Sequence, residues 1–446
     1  MTIITRFAPS PTGMLHVGNI RTAIHNWLFA KANGGRFLLR IDDTDAARSE
    51  ERFVDAIRAD LDWLGLAPDG EERQSERFAL YEAAFERLVA NGRVYPCYES
   101  AEELDIRRKI LLSRGLPPVY ERKAADASVP AGVAPHWRFR LDHGTPIAWD
   151  DLVRGPQHFD PHLLSDPVVR RADGSWLYML PSAIDDMDMG ISHVVRGEDH
   201  VSNTAAQIQM FTSLGGGVPA FAHAALLTGS EGKLSKRLGS LGAEHFRELG
   251  IEPQALLAKL ARLGTSDPVE PFVDAAPLIA TFDFARFGRA PARFDEGELA
   301  QLNARIIHQL PYAAVAARLP GAMPKEKAEA AWLAIRPNLA TLAQAADWWQ
   351  VVTGPIAAAP IEAEDRAFVA EAAHLAATID WAADPWHALT DALKIASGRK
   401  GRALFHPLRL ALTGREQGPD MRALLPLIGR EAAIARLAAG QPSYEG

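Results

Sequence analysis

The sequence predicts an α/β fold, a parallel sheet with crossover helices, interrupted by an inserted α+β segment and followed by an all-helical region. Three observations predict it. Strand and helix signals alternate over the first 94 residues. A proline-rich stretch with basic clusters then runs from about Tyr95 to Pro181, and the alternating pattern resumes. Beyond about Gly239 the chain reads as helical, and from about Asp295 it is rich in alanine.

Each element has its own signal. Ile3 to Ala8 is a short apolar run broken by Pro9-Ser10-Pro11-Thr12-Gly13. Ile20, Ile24, Trp27 and Leu28 then recur at the spacing of one helix face, and Gly34-Gly35 end that helix. Phe37 to Ile41 reads as a buried parallel strand with Asp42-Asp43-Thr44-Asp45 at its carboxyl end. Ser49 is the expected cap of the next helix, whose apolar face is Phe53, Ile57, Leu61 and Leu64. Strand, helix, strand, helix implies a parallel sheet. After the insertion, Ile191 to Val195 reads as a strand, Val201 to Leu214 as a helix and Ala222 to Leu227 as a strand. Ala328 to Ile335, Leu339 to Trp349 and Ala367 to Ile379 read as helices broken by Pro and Gly, the pattern of a bundle.

Composition narrows the class. At roughly 100–200 residues per domain, the 446-residue chain suggests about three domains. Hydrophobic residues at 48% and charged residues at 23% exclude global disorder and a collagen-like fibre. The single cysteine, Cys97, excludes an internal disulfide framework and a zinc site built on several thiolates. No apolar run approaches the roughly 20 residues of a membrane span. Met1 to Arg6 lacks the pattern of a secretory signal, so a soluble cytoplasmic protein is expected. The net charge of -8 argues against a protein that coats nucleic acid, but not against a local basic patch that reads RNA shape.

Two segments carry chemistry. Arg6 to Asn19 reads as a strand, a tight Pro/Gly turn and a helix N-terminus, whose unpaired N–H groups and partial positive charge suit a phosphate. Gly18 leaves room for a nucleotide against the backbone, and His16 can donate to phosphate oxygens. Far downstream, Lys233-Leu234-Ser235-Lys236-Arg237 sets three cations on a glycine-flanked loop, able to neutralise charge that builds in a transition state.

These segments resemble the two signatures of class I aminoacyl-tRNA synthetases, here His16-Val17-Gly18-Asn19 and Lys233 to Arg237. Arg6 to Gly13, Arg40 to Asp45, Arg73 to Arg77 and His193 to His200 resemble the bacterial glutamyl-tRNA synthetases in particular. The likeness is strong from Arg6 to about Leu263 and weaker to the end, where Pro407 to Gly414 is again similar. The resemblance implies a Rossmann-like catalytic domain in two halves, 1–94 and 182–238. Around it would lie an inserted acceptor-end-binding domain at 95–181, a helical stem-contact domain at 239–300 and a helical anticodon-binding domain at 301–446.

It also implies ATP-dependent attachment of L-glutamate to the 3′ end of tRNA through a glutamyl-adenylate, in a monomer. Arg6, Arg196 and Tyr178 would hold the glutamate side-chain carboxylate, since a planar fork matches a carboxylate as lysine cannot. Asp42 would accept the α-ammonium, although the residues alone leave Asp42, Asp43 and Asp45 open. Ala8 and Ser10 would line the same site. Without the resemblance, an ion pair of Arg196 with Glu198 or Asp199 stands equal to a ligand role. His16, Lys233 and Lys236 would stabilise the pentacoordinate phosphorus, and His16, Gly18, Asn19 and Lys236 would bind ATP. Mg²⁺ would come with ATP, held mainly by phosphate oxygens and water.

Departures from the family pattern are few. Asn19 stands in place of His, Leu234 in place of Met and Arg237 in place of Ser. With Cys97 alone, no structural zinc is expected. Asn338 falls where an arginine helps such enzymes exclude glutamine tRNA, so charging of that tRNA is one alternative, with Arg336 a substitute. A catalytically inactive tRNA-binding paralogue is another. A truncated relative that modifies a tRNA base and a small-molecule adenylyltransferase fit less, because both lack the helical tail.

Overall fold

The computed structural model describes residues 2–123, 132–229, 241–319, 325–357 and 360–439. The chain divides into two compact units, Met1–Leu249 with Leu256–Glu296, and Gly250–Ala255 with Gly297–Gly446.

The first unit opens with β1 (Ile4–Phe7), α1 (Val17–Ala32), β2 (Arg36–Ile41), α2 (Glu51–Trp63), β3 (Glu71–Arg73) and α3 (Phe78–Ala90). β1 pairs in parallel with β2 from Ile4↔Arg36 to Phe7↔Leu39, and β2 pairs in parallel with β3. The reversal between α1 and β2 depends on glycine. Gly34 takes a left-handed φ of 60°. A Cβ on Gly35 would lie 2.2 Å from the carbonyl oxygen of Ile3. The helix that follows β2 starts one residue later than its Ser49 cap requires. The Glu50 N–H is tied to the Pro11 carbonyl at 3.1 Å, Glu50 takes the cap position without a side-chain bond, and Ser49 Oγ is left buried without a partner.

The middle of the chain splits between two sheets. β4 (Val94–Cys97) precedes α4 (Ala101–Ser113), then β5 (His136–Phe139), β6 (Ile147–Asp151), β7 (Gly155–Phe159) and β8 (Val168–Arg170). β4, β5 and β8 form a small antiparallel sheet. α5 (Met179–Asp188), β9 (His193–Gly197), α6 (Val201–Leu214) and β10 (Ala220–Ala224) return to the α/β pattern. β10 pairs in parallel with β9 along its length and with β6 at Phe221↔Asp151, while β7 pairs antiparallel on the outer edge of β6. The expected insertion over 95–181 therefore lends two of its strands to the main sheet. The strand expected to reach Leu227 stops at Ala224, because the Leu226 N–H turns away to Glu198 Oε1 at 3.1 Å.

β1 and β9 lie side by side, joined where Ser192 N–H donates to the Ile4 carbonyl at 3.0 Å and Ile4 N–H to Ser192 Oγ at 2.8 Å. Strand order thus reverses between β1 and β9. In an open parallel sheet, ligands bind beyond the carboxyl ends of strands at such a reversal.

Among the described residues the second unit is helical. Lys325–Ile335, Ala363–Thr378, Pro385–Ser397, Arg402–Thr413, Met421–Ile428 and Arg430–Ala439 are its main helices. Leu393, Leu404, Leu408, Leu412 and Leu425 fill its core, with Trp332 donating its indole N–H to the Leu310 carbonyl at 2.9 Å. The helix expected to begin at Leu339 begins at Gln344. Gln344 Oε1 accepts the Ala340 N–H at 2.7 Å and holds the preceding residues in a turn. Asn338 ends a short 3₁₀ turn, and Arg336 spends one guanidinium nitrogen on the Leu310 carbonyl at 2.7 Å.

His25 on α1 is fully buried between Phe282 and Phe287, with Nε2 3.2 Å from the Leu260 carbonyl. Burial first, then Arg21, holds its pKa well below the usual value of 6.5. Below about pH 6.5 the unfolded chain binds the proton that the folded imidazole refuses, so acid costs stability. Stability should be full above that pH and fall as pH drops toward the folded value. Denaturant titrations from pH 7.5 to 5 should show this decline, and it should be shallower in His25→Gln. An unchanged slope in the variant would count against this account.

Candidate active site

Beyond the carboxyl ends of β1 and β9 lie two adjoining cavities of about 580 and 300 Å³. Ala8, His16, Asn19, Asp42, Tyr178 and His200 line both; Ser10 lines the larger, and Arg6, Gly18 and Arg196 line the smaller. These residues come from strand ends, the α1 entrance and the starts of α5 and α6. The sheet brings together the glutamate-site and nucleotide-site candidates that fall within the described chain. Lys233 and Lys236 lie outside the described residues.

Arg40 is the hub beneath the smaller cavity. It is 1% exposed, in the middle of an apolar strand. Its Nε and Nη2 hold the two oxygens of Asp42 at 2.6 and 3.1 Å, and its Nη1 donates to Asp186 at 2.7 Å. Asp185 lies 3.8 Å away. Burial opposes its charge, but Asp42 and Asp186 outweigh that and raise its pKa. Burial in turn raises the pKa of Asp42, against the pull of Arg40.

Arg6 grips Asp186 through Nε at 2.9 Å and Nη2 at 3.3 Å, leaving Nη1 uncommitted among the described residues. Burial opposes the Asp186 charge, yet Arg6 and Arg40 hold its pKa below the usual carboxylate value.

Arg196 differs from both. It has no ion pair among the described residues. Its Nη2 donates to Thr204 Oγ1 at 2.6 Å and Gln207 Oε1 at 2.8 Å, and its Nε to His223 Nε2 at 3.3 Å. The two acids that rivalled a ligand role are engaged elsewhere, Glu198 with Arg154 and Asp199 beside His200. Burial first, then Arg6, pushes the Arg196 pKa down to about 10. A guanidinium held by neutral acceptors lacks a paired carboxylate, with Asp186 and Asp199 acting on it only from a distance.

The choice among the three aspartates is also geometric. Asp43 is consumed by the Ser75 N–H and hydroxyl at 2.8 Å each and by Arg73 at 3.0 Å. Asp45 pairs with exposed Arg48 at 2.6 Å. Asp42 alone faces both cavities with a buried cation behind it.

The α1 entrance corrects one expectation. Its first amides are not bare: Val17 N–H donates to the Leu241 carbonyl at 2.8 Å, and those of Gly18 and Asn19 to His16 Nδ1 at 3.1 and 3.3 Å. Ile20 N–H closes onto the His16 carbonyl at 3.0 Å. His16 is thus the helix cap. Burial lowers its pKa, and because Nδ1 accepts, the neutral ring carries its proton on Nε2. A Cβ on Gly18 would sit 3.0 Å from His16 Cε1, so glycine there also keeps the ring in place. Tyr178 accepts from Asn203 and meets His200 edge to face at 6.1 Å. Burial raises its pKa.

Away from the cavities, Cys97, Glu99 and His136 each bring a ligand atom within 4.8 Å of the others. Glu99 already takes the Tyr120 hydroxyl at 3.2 Å and Lys123 at 3.5 Å, and burial raises the Cys97 pKa. Among the described residues this group offers three ligand atoms, one fewer than a structural zinc takes.

Sequence reasoning missed Arg40 as hub, and with it Asp186, Thr204, Gln207, His223 and Ser182, whose hydroxyl accepts from Arg40 Nη2 at 3.3 Å. The available signal was a lone arginine inside Phe37-Leu38-Leu39-Arg40-Ile41, where a buried charge requires a partner. Replacing Arg40 with Met would leave Asp42 and Asp186 without that partner. The expected loss is about 3–5 kcal/mol of stability, measured by denaturant unfolding. A loss under about 1 kcal/mol would show that the hub does not hold the site.

Comparisons with known proteins agree with this architecture. Residues 2–301 match the family model of tRNA synthetases class I (E and Q), catalytic domain, and residues 311–441 match an anticodon binding domain. The chain is 71% identical to glutamate–tRNA ligase 2 of Sphingopyxis alaskensis, over 98% of this chain and 99% of that protein. It is 59% identical to glutamate–tRNA ligase 1 of Zymomonas mobilis, over 98% and 99%. The crystal structure of a glutamate tRNA ligase from Elizabethkingia meningosepticum, in complex with its amino acid, superposes with a TM-score of 0.84 at 27% identity, over 99% of each chain. With catalytic and anticodon-binding models matched in order over nearly its whole length, the chain belongs to the glutamate–tRNA ligases, within the class I tRNA synthetases.

Proposed function

We propose that this chain attaches L-glutamate to the 3′ end of glutamate tRNA, in the cytoplasm and as a monomer. An oxygen of the glutamate α-carboxylate attacks the α-phosphorus of ATP, and the bond to pyrophosphate breaks. The terminal ribose hydroxyl of the tRNA then attacks the carbonyl carbon of the adenylate, and AMP leaves. Neither step needs a covalent enzyme nucleophile, so catalysis rests on positioning and charge stabilisation.

The observation that carries this reading is the Arg196 guanidinium, half-buried at the smaller cavity without an acidic partner among the described residues. A glutamate side chain supplies the missing charge; glutamine does not. Arg6 Nη1 and the Tyr178 hydroxyl join it on that carboxylate. Asp42 accepts the α-ammonium with its remaining lone pairs, and Ala8 and Ser10 complete the wall. His16 Nε2–H, Gly18 and Asn19 serve the nucleotide.

Lys233 and Lys236 neutralise the phosphates as the phosphorus becomes pentacoordinate, a role read from the sequence alone. Mg²⁺ arrives with ATP. Phosphate oxygens and water carry most of its coordination. The two other readings raised by the sequence, charging of glutamine tRNA and an inactive paralogue, find no support in relatives named glutamate–tRNA ligase.

Aminoacylation of purified glutamate and glutamine tRNAs with labelled glutamate tests the reading, and failure to charge glutamate tRNA would overturn it. Arg196→Lys should raise KM for glutamate roughly 10- to 100-fold, the worth of a charged hydrogen bond, while KM for ATP holds. Lys236→Ala should instead lower kcat by roughly 10²- to 10³-fold with little change in glutamate KM. An Arg196 variant that leaves glutamate KM unmoved would remove the carboxylate role.

A further inference from the structure

Behind Arg196, a chain of buried polar groups crosses three neighbouring strands. Asp151 closes β6, His223 lies on β10 and Arg196 on β9, and His223 and Arg196 are direct partners in the strand register. Asp151 Oδ2 lies 2.5 Å from His223 Nδ1, with both side chains fully buried. On the other side of the ring, His223 Nε2 accepts from Arg196 Nε at 3.3 Å and lies 2.9 Å from Thr204 Oγ1.

The arrangement admits one tautomer. Arg196 Nε–H can only donate, so His223 Nε2 must offer a lone pair and the ring proton sits on Nδ1, aimed at Asp151. The opposite tautomer would set the Nδ1 lone pair against the carboxylate at 2.5 Å and an N–H against the guanidinium. Asp151 is itself locked. Its Oδ1 accepts the backbone N–H groups of His223, Val153 and Arg154 at 3.1, 3.0 and 2.9 Å, so the carboxylate cannot rotate away. Burial lowers the His223 pKa and keeps the ring neutral.

We propose that His223, with its tautomer fixed by Asp151, is a positioning residue that aims the Arg196 guanidinium at the side-chain carboxylate of the amino acid substrate. The proposal rests on the reading of Arg196 as that carboxylate's ligand. His223 anchors Nε while Thr204 and Gln207 anchor Nη2, which among the described residues leaves Nη1 as the free corner of the fork. The substrate then meets a guanidinium already ordered, and the cost of immobilising a long side chain is met in folding rather than in binding.

Steady-state aminoacylation at saturating tRNA tests this with Asp151→Asn, His223→Leu, His223→Gln and their Arg196→Lys control. In Asp151→Asn the three backbone donors keep oxygen at the Oδ1 place. The amide NH₂ therefore faces His223 Nδ1 and forces the wrong tautomer. Asp151→Asn and His223→Leu should each raise glutamate KM about tenfold, the worth of one hydrogen bond to a charged group, with ATP KM unchanged. The double variant Asp151→Asn/His223→Leu should be no worse than His223→Leu, because the pair acts as one unit. His223→Gln, which returns an acceptor oxygen toward Arg196, should recover part of the loss.

Asp151→Asn keeps the native shape and serves if His223→Leu does not fold. Wild-type glutamate KM in both single variants, with Arg196→Lys impaired, overturns the positioning role alone. An Arg196→Lys variant that is also unimpaired overturns the carboxylate reading beneath it. A rise in ATP KM parallel to that for glutamate marks general damage and overturns the specific role.

Discussion

One buried guanidinium organises the catalytic unit. Arg40 sits inside an apolar strand and is held there by Asp42 and Asp186, with Asp185 close by. Taking such charges out of water is costly, and the cost is offset only when each group finds its partners in good geometry. That requirement ties β2 to α5, and through Asp186 it ties both to Arg6 on β1. The wall of the smaller cavity is therefore built by electrostatic necessity. Asp185 extends the cluster outward through Gln74 at 2.8 Å, Tyr81 at 2.8 Å and Arg77 at 2.8 Å, which fixes α3 against α5.

Against this neutralised background, Arg196 stands out. Arg6 and Arg40 are satisfied by carboxylates of the chain, whereas Arg196 is satisfied by a hydroxyl, an amide and an imidazole. These hold its geometry without cancelling its charge. On the proposed function, selectivity for an acidic amino acid follows from an imbalance that the fold leaves in one place. The overall charge of -8 gives no hint of it, because the relevant positive potential is local and enclosed.

How much of this was readable in the sequence depends on the range of the interaction. Strand–turn–helix corners are local, so Ile3–Gly13 and the segment around His193–His200 announced the two strand ends, and the Val201–Leu214 helix matched its periodic signal to the residue. Caps and breaks were less legible, because they turn on contacts with distant chain. Ser49 lost its cap to the Pro11 carbonyl, and the α1 amides were filled by His16 and Leu241. The supporting polar groups were not legible at all. Asp186 lies 180 residues from Arg6, and Asp151 lies 72 from His223; no pattern of period 2 or 3.6 reports such pairs. The resemblance to a known family covered part of that gap for residues lining the cavities, and none of it for those behind them.

The course of β6 has a consequence for treating the chain as a set of exchangeable modules. Residues 147–159 are encoded within the interruption but fold as outer strands of the main sheet, with β6 hydrogen-bonded to β10. A deletion or graft spanning 95–181 would strip the main sheet of its flank and expose the edge of β10. The portion built on β4, β5 and β8 is no freer, because Val94, Phe139 and Val169 share one apolar core with Tyr81, Leu180 and Ile184.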